Sequence, residues 1–267
     1  MAYFHRRPSA PRLPARGRRP LPSLGPVLGP PAPLTVWKGH FVRTRITALA
    51  CLAMALVPLA ACDEQQQTET RAYDLTDKVD ALAVSSLGGR ITVTAGSGDT
   101  VHVTETIRYT GAKPVPQHNV VGSDLTFTSG CQGHRGNCGV DYHLEVPARF
   151  KATLDSAGGT ISVTGLSGEL NLTSGGGAVD ASGITPATIT ARTGGGAIQL
   201  TFTKPPESVR VDSSGGDVTL RLPRDRYSID AQGSGGTTTV EIPTDAASAH
   251  RIGVHSGGGD ILVTASE

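Results

Sequence analysis

The residues with the clearest potential for chemistry are two cysteines and two histidines that lie close together. Cys131, His134, Cys138 and His143 would offer two sulfur and two nitrogen donors at short spacing, a set that Zn²⁺ accepts. Outside the cytoplasm, two neighbouring cysteines would instead form a disulfide. The spacing fits none of the common zinc patterns, so we predict a Cys131–Cys138 disulfide, no metal and no cofactor.

The compartment follows from a segment near the N-terminus. A short basic stretch precedes a largely apolar run over residues 46–61, which ends in Leu-Ala-Ala-Cys at Cys62. This order is typical of a secretory signal, and the run is shorter than the roughly 20 residues of a membrane-spanning helix. The sequence Leu-Ala-Ala-Cys at residues 59–62 resembles the lipobox of bacterial lipoproteins. The resemblance implies that Cys62 receives a diacylglycerol and becomes the new N-terminus; the alternative is an ordinary cleaved signal.

This assignment divides the chain into segments. We expect residues 1–41 to be disordered or to precede the true start, with a cytoplasmic extension as the alternative. Residues 42–61 would be the signal peptide, 62–71 a polar tether and 72–267 the domain. The predicted location is the outer face of the bacterial plasma membrane, attached through lipid on Cys62.

Composition excludes several classes of function. Residues 62–267 carry fifteen Lys and Arg against twenty-three Asp and Glu, which argues against nucleic-acid binding. Thirty-four glycines and eighteen prolines argue against a helical enzyme. Asp217 and Asp260 are too few to form a calcium site. The charged residues Asp180, Asp217, Arg192 and Arg221 could lie on neighbouring coils, as in β-helical polysaccharide lyases, but a solvated face also explains them.

A repeated unit fills the rest of the chain. Four apolar positions recur around the second glycine of each Gly-Gly pair. Two of them lie seven and five residues before it, and two lie two and four residues after it, with mostly polar residues between them. Such alternation predicts a strand on each side of the pair, with glycine turning the corner through a positive φ. Ser or Thr three positions before the second glycine would hold the turn. The predicted corner glycines are Gly88 and Gly89, Gly158 and Gly159, Gly176 and Gly177, Gly195 and Gly196, Gly215 and Gly216, Gly235 and Gly236, and Gly258 and Gly259.

A single unit cannot bury its apolar face, whereas stacked units can. We therefore predict an all-β, repetitive β-solenoid of about 20-residue strand–Gly-Gly–strand units, with a meander sandwich as the alternative. Side chains stacked in this way would leave no room for an internal ligand.

The repeat is interrupted by an insert at residues 94–150. It contains three strand-like runs, at 100–109, 120–128 and 140–146. The last two flank the cysteine-containing segment 129–139, which predicts an antiparallel hairpin with the disulfide at its tip.

Three glycine segments carry a family resemblance. Residues 156–163 (SAGGTISV), 213–220 (SSGGDVTL) and 256–263 (SGGGDILV) resemble the bacterial "putative adhesin" family, DUF4097. The resemblance implies an exported β-helical domain and supplies no catalytic residues.

These observations together predict a membrane-anchored lipoprotein that acts by surface contact or envelope scaffolding and is not an enzyme. Its partner would be an envelope protein or a glycan. A glycan- or small-ligand-binding component is the first alternative, which a pocket between insert and solenoid would favour. An enzyme acting on polysaccharide is the second, and sensing of envelope stress is equally compatible.

Overall fold

The computed structural model describes residues 65–266, so the predicted signal and Cys62 lie outside the described part. Within these residues no helix has the length and apolarity needed to cross a bilayer. The regular elements described are strands, as the sequence predicts. They are β1 Gln67–Leu75, β2 Ala81–Ser86, β3 Ile91–Gly96, β4 Val101–Tyr109, β5 Gln117–Val121, β6 Asp124–Thr128, β7 Cys138–Pro147, β8 Lys151–Ser156, β9 Ile161–Thr164, β10 Leu170–Ser174, β11 Val179–Ile184, β12 Thr188–Thr193, β13 Ile198–Phe202, β14 Ser208–Ser213, β15 Val218–Leu222, β16 Ser228–Gly233, β17 Thr238–Val240, β18 Arg251–Ser256 and β19 Ile261–Ala265.

The strands form two sheets that face each other. Sheet A has the order β1-β4-β7-β3-β9-β11-β13-β15-β19-β17, and sheet B has the order β16-β18-β14-β12-β10-β8-β2-β6-β5. Each predicted unit forms one coil, whose first strand lies in sheet B and whose second lies in sheet A. Successive coils pair in parallel, for example β10 with β12 and β11 with β13. The predicted β-solenoid is confirmed.

The spatial order of the coils departs from the sequence order at one end. The last coil in the sequence, β18 and β19, lies between the β14–β15 coil and the β16–β17 coil. The β16–β17 coil therefore forms the end of both sheets. This position explains its irregular sequence, because an end coil has a neighbour on one side only.

The core consists of the apolar rows that the repeat predicts. All four inward positions are buried in each of the other six coils. In the end coil the same positions are half-buried or exposed, at Ile229, Ala231, Thr238 and Val240. The contrast shows that stacking on both sides, rather than the strand pattern alone, removes these side chains from water.

The glycine pairs turn the corners as predicted, but the predicted reason is wrong. None of the paired glycines has a positive φ; the described glycines that do have one lie outside the pairs. The second glycine of a pair is required because the backbone of the adjacent coil comes too close for a side chain. A Cβ on Gly216 would lie less than 3.0 Å from the carbonyl of Gly196, and a Cβ on Gly196 equally close to that of Gly177. Close stacking therefore requires the glycine.

At several corners a buried hydroxyl connects neighbouring coils. The amide of Gly177 donates to Ser174 Oγ at 2.9 Å, and that hydroxyl donates to the carbonyl of Gly159 in the preceding coil at 3.1 Å. Thr193 makes the equivalent bonds one coil further on. The prediction that this hydroxyl holds the turn is confirmed, and the structure adds a bond between coils.

The insert is arranged differently from the prediction. The run at 120–128 is divided by a turn at Gly122, whose φ is +64°, and strands β5 and β6 on its two sides pair with each other. Strands β6 and β7 lie in different sheets, so the predicted hairpin between them is wrong. Strand β7 pairs instead with β4 and β3 in sheet A.

The boundary of the predicted tether also shifts. Residues 67–71 belong to β1, which pairs with β4 along all nine of its residues. Their alternating pattern of burial is that of an edge strand over the core.

Candidate functional site

The two cysteines of the insert form the predicted disulfide. Cys131 and Cys138 are joined with a Cα–Cα distance of 5.7 Å. The bridge closes the segment that leads from the end of β6 in sheet B to the start of β7 in sheet A. His143 is exposed on β7, and both sulfurs are bonded to each other rather than available to a metal.

The charged residues considered for catalysis do not come together. Asp180 and Arg221 lie on strands of sheet A, whereas Arg192 lies on sheet B and forms an ion pair with Asp212 at 3.4 Å. Asp217 accepts a hydrogen bond from the amide of Asp260 in the next coil at 2.9 Å. Asp260 in turn accepts one from Thr237. These two aspartates therefore connect neighbouring coils.

A different group of polar residues lies at the insert end of the solenoid. Along one inward row of sheet A the buried isoleucines end at Ile91, which is followed across the sheet by Tyr142, Glu105 and Arg71. The facing row of sheet B runs from Val84 to Phe127 and then to His118. Both apolar rows therefore become polar in the last strands, and we call this group of residues the polar end.

Tyr73 of β1 connects the two sheets at the polar end. Its hydroxyl donates to Glu105 Oε1 at 2.9 Å and lies 3.2 Å from His118 Nδ1. The other carboxylate oxygen of Glu105 lies 3.3 Å from an Arg71 guanidinium nitrogen. The rings of Tyr73 and His118 are stacked, with centroids 5.3 Å apart. The arrangement is a hydrogen-bonded network rather than a continuation of the core.

The carboxylate at the centre of the network is buried, whereas Arg71 and Tyr73 are half-buried and His118 is exposed. The side chain of Glu105 is only 2% exposed, and burial, followed by the charge of Glu105, raises the pKa of Tyr73 well above its usual range. The same two causes raise the pKa of Tyr142. Both hydroxyls therefore keep their protons and can act as donors. Among the described residues, Tyr142 Oη and Arg71 Nε find no hydrogen-bond partner.

A pocket of about 580 Å³ opens beside this network. Its lining comes from β1, β4 and the start of β5. The lining residues are Arg71, Tyr73, Glu105, Pro116, Gln117, His118 and Asn119. The pocket is shallow and open, and its convergent polar groups make it a candidate small-molecule site.

One feature of the sequence, apart from the repeat, indicates the polar end. In β4 the inward positions are Val101, Val103, Glu105, Ile107 and Tyr109, so a carboxylate occupies the apolar phase of the strand. A charged residue in that phase is rarely buried without a partner. Its partners on β1 could not be found, because residues 67–71 were assigned to the tether and no strand was predicted at 72–75.

The fold and its corners define the class of protein: a two-sheet, parallel β-solenoid closed at one end by an antiparallel insert. The chain belongs to the Toastrack DUF4097 family, whose model matches residues 75–264. No curated protein matches it significantly.

Solved structures with similar folds share 12% sequence identity with the chain. A "putative cell adhesion protein" from Clostridium sporogenes covers 76% of this chain and 100% of its own, with a TM-score of 0.46. A "putative adhesin" from Bacteroides fragilis covers 75% and 98%, with a TM-score of 0.48. A "putative lipid binding protein" from Parabacteroides distasonis covers 73% and 96%, with a TM-score of 0.36.

Proposed function

We propose that the chain is a lipid-anchored extracytoplasmic protein that acts by surface contact, in adhesion or envelope scaffolding, and not by catalysis. The observation that carries the proposal is the stacking of seven coils in register over a continuous apolar core. Solenoids of this kind present extended surfaces for binding, because each coil adds the same polar outer face to the last.

The connections between coils support a stiff body. Hydroxyls such as Ser156 and Ser174 bond to the preceding coil through the core, and Asp217 and Asp260 bond to the next coil at the surface. A stiff body loses little conformational entropy when it binds, which favours contact over a broad surface.

The position of β1 fits attachment through Cys62. Gln67, the first residue of β1, follows Cys62 by five positions, and five residues of extended chain span at most about 18 Å. The insert end would then lie close to the membrane. The β16–β17 coil lies at the other end of sheet A, about 43 Å away at the usual spacing between strands.

Metabolic labelling with a clickable fatty acid tests the anchor. We expect label on the full chain and none on the Cys62→Ala variant, with Cys51→Ala as the matched control that keeps the label. Labelling that persists without Cys62 would contradict the anchor.

Capture of isolated envelope material by the immobilised full chain tests the contact function. Capture should require the folded solenoid. We therefore expect it to survive Gly195→Ala, which places a methyl group in open space, and to fail with Gly196→Ala, which clashes with the adjacent coil. Equal capture by a folded and an unfolded chain would refute a specific contact surface.

One observation favours a second candidate function, the binding of a glycan or a small ligand. The pocket beside Tyr73 and His118 lies where the insert meets β1. A surface-contact protein does not need such a pocket, whereas a ligand-binding envelope component does.

A further inference from the structure

We propose that the pocket at the polar end binds a neutral saccharide unit, held by Tyr73, His118 and the amides of Gln117 and Asn119. This inference rests on the ligand-binding candidate above and is independent of lipid attachment. It follows from the charge, the unused hydrogen-bonding groups and the ring surfaces of the pocket.

The charge of the pocket favours a neutral ligand. Its lining contains one guanidinium, Arg71, and one carboxylate, Glu105, which lie 3.3 Å apart and form an ion pair. Neither charge is therefore left over for an anion or a cation. A charged ligand would have to compete for one member of this pair, and separating the pair would leave the Glu105 carboxylate, which is 2% exposed, without its counter-ion.

The pocket offers hydrogen-bonding groups of both kinds. The side-chain amides of Gln117 and Asn119 each provide donors and an acceptor at its rim. Sugar hydroxyls donate and accept at once, so they match a lining of this mixed kind.

The ring surfaces of the pocket complete the match. Tyr73 and His118 stack at 5.3 Å, and His118 lies 5.9 Å from Phe127, so aromatic side chains continue from the core to the rim. Aromatic rings give contact area at little entropic cost, and the apolar face of a pyranose ring can pack on them. The volume of about 580 Å³ lies in the range of small-molecule sites.

Isothermal titration calorimetry of the full chain in detergent tests the proposal, with chitotetraose and maltotetraose as probes. We expect saturable binding of one tetrasaccharide at millimolar concentration. His118→Ala should weaken it about tenfold, equivalent to about 1.4 kcal/mol. Tyr73→Phe should also weaken it, because the phenol that joins Glu105 to His118 is lost. His143→Ala is the matched control, since His143 is exposed on β7 and does not line the pocket.

Three results would overturn the proposal. The first is that neither sugar binds, and the second is that His118→Ala leaves the affinity unchanged. The third is displacement of the sugar by inorganic phosphate, which would indicate an anion site. Far-ultraviolet circular dichroism of each variant separates loss of binding from loss of folding. Fatty-acid labelling of Cys62 does not depend on these results, so the failure of this inference and the failure of the anchor remain distinguishable.

Discussion

Two adjacent glycines provide the sharpest test of how the coils stack. In the fourth corner along the chain, Gly195 has open space around its missing side chain, whereas a Cβ on Gly196 would lie less than 3.0 Å from the backbone of Gly177 and Ala178. Neither residue has a positive φ. Substitution of each by alanine therefore isolates the effect of close backbone approach from that of backbone conformation.

The contacts around Gly196 give the expected loss of stability on its substitution by alanine. Overpacking of a well-packed region costs about 1–3 kcal/mol. Moving the coils apart would also weaken the two hydrogen bonds of Thr193, to the amide of Gly196 at 3.1 Å and to the carbonyl of Gly177 at 2.9 Å, each worth about 1 kcal/mol. We therefore expect Gly196→Ala to lower the free energy of unfolding by about 3–5 kcal/mol. Gly195→Ala should be neutral or stabilise the fold by about 0.4–1 kcal/mol through the unfolded chain.

Urea unfolding of the full chain in detergent, followed by circular dichroism at equal protein concentration, measures both free energies. The parent and Gly195→Ala should unfold at similar denaturant concentrations, with Gly196→Ala far below them. Equal stability of the two variants would refute the explanation by close stacking. Destabilisation of both by the same amount would indicate a conformational requirement instead.

Three further predictions concern other parts of the fold. Replacement of Cys131 and Cys138 by serine should lower stability by about 2.5 kcal/mol, the chain entropy of the small closed loop, and thermal unfolding under reducing and non-reducing conditions checks it. Ser174→Ala should lower the free energy of unfolding in urea by about 1–3 kcal/mol, because it leaves a partly buried amide and carbonyl without their partner; no change would contradict the bond between coils. The hydrogen bond with Asp74 raises the pKa of His102 above its usual 6.5. The pair therefore stabilises the fold at acidic pH, and this contribution is lost as the pH rises through the raised pKa. An NMR titration of His102 should show a lower pKa in the Asp74→Asn variant.

Much of the fold could be predicted because its signal repeats. Seven units with the same inward positions fix the strands and their inner faces, and six of the seven have a hydroxyl at the corner. The order of the coils along the solenoid cannot be predicted from this pattern, because the repeated units are alike and any coil can stack on any other. The departures in the end coil, Thr238 in an apolar row and Gly233 in place of a hydroxyl, mark it as different. Only the pairing of β18 with both β14 and β16 shows that it is the end.

The role of the glycines could not be predicted from one unit alone. A bend with a positive φ favours glycine, and so does the close approach of another coil, because glycine has no Cβ. The two causes differ only in what lies next to the glycine, and that neighbour is about 20 residues away in the sequence.

The polar end was missed for a related reason. Glu105 lies in the apolar phase of β4, but its partners Arg71 and Tyr73 come from β1, and His118, which contacts Tyr73, comes from β5. Most residues of β1 are polar, and the strand joins sheet A only through its pairing with β4. The sequence therefore contained the buried carboxylate without showing the network around it.

Surface labelling of cells tests most directly whether this solenoid is held on the outside of a membrane. Spheroplasts expressing the full chain would be treated with a membrane-impermeant amine reagent, for which Lys113, Lys151 and Lys204 are exposed. We predict that the chain is labelled before lysis and stays with the membrane fraction, and that the Cys62→Ala chain is lost from that fraction. Protection from the reagent until lysis, or membrane association that does not depend on Cys62, would contradict the account.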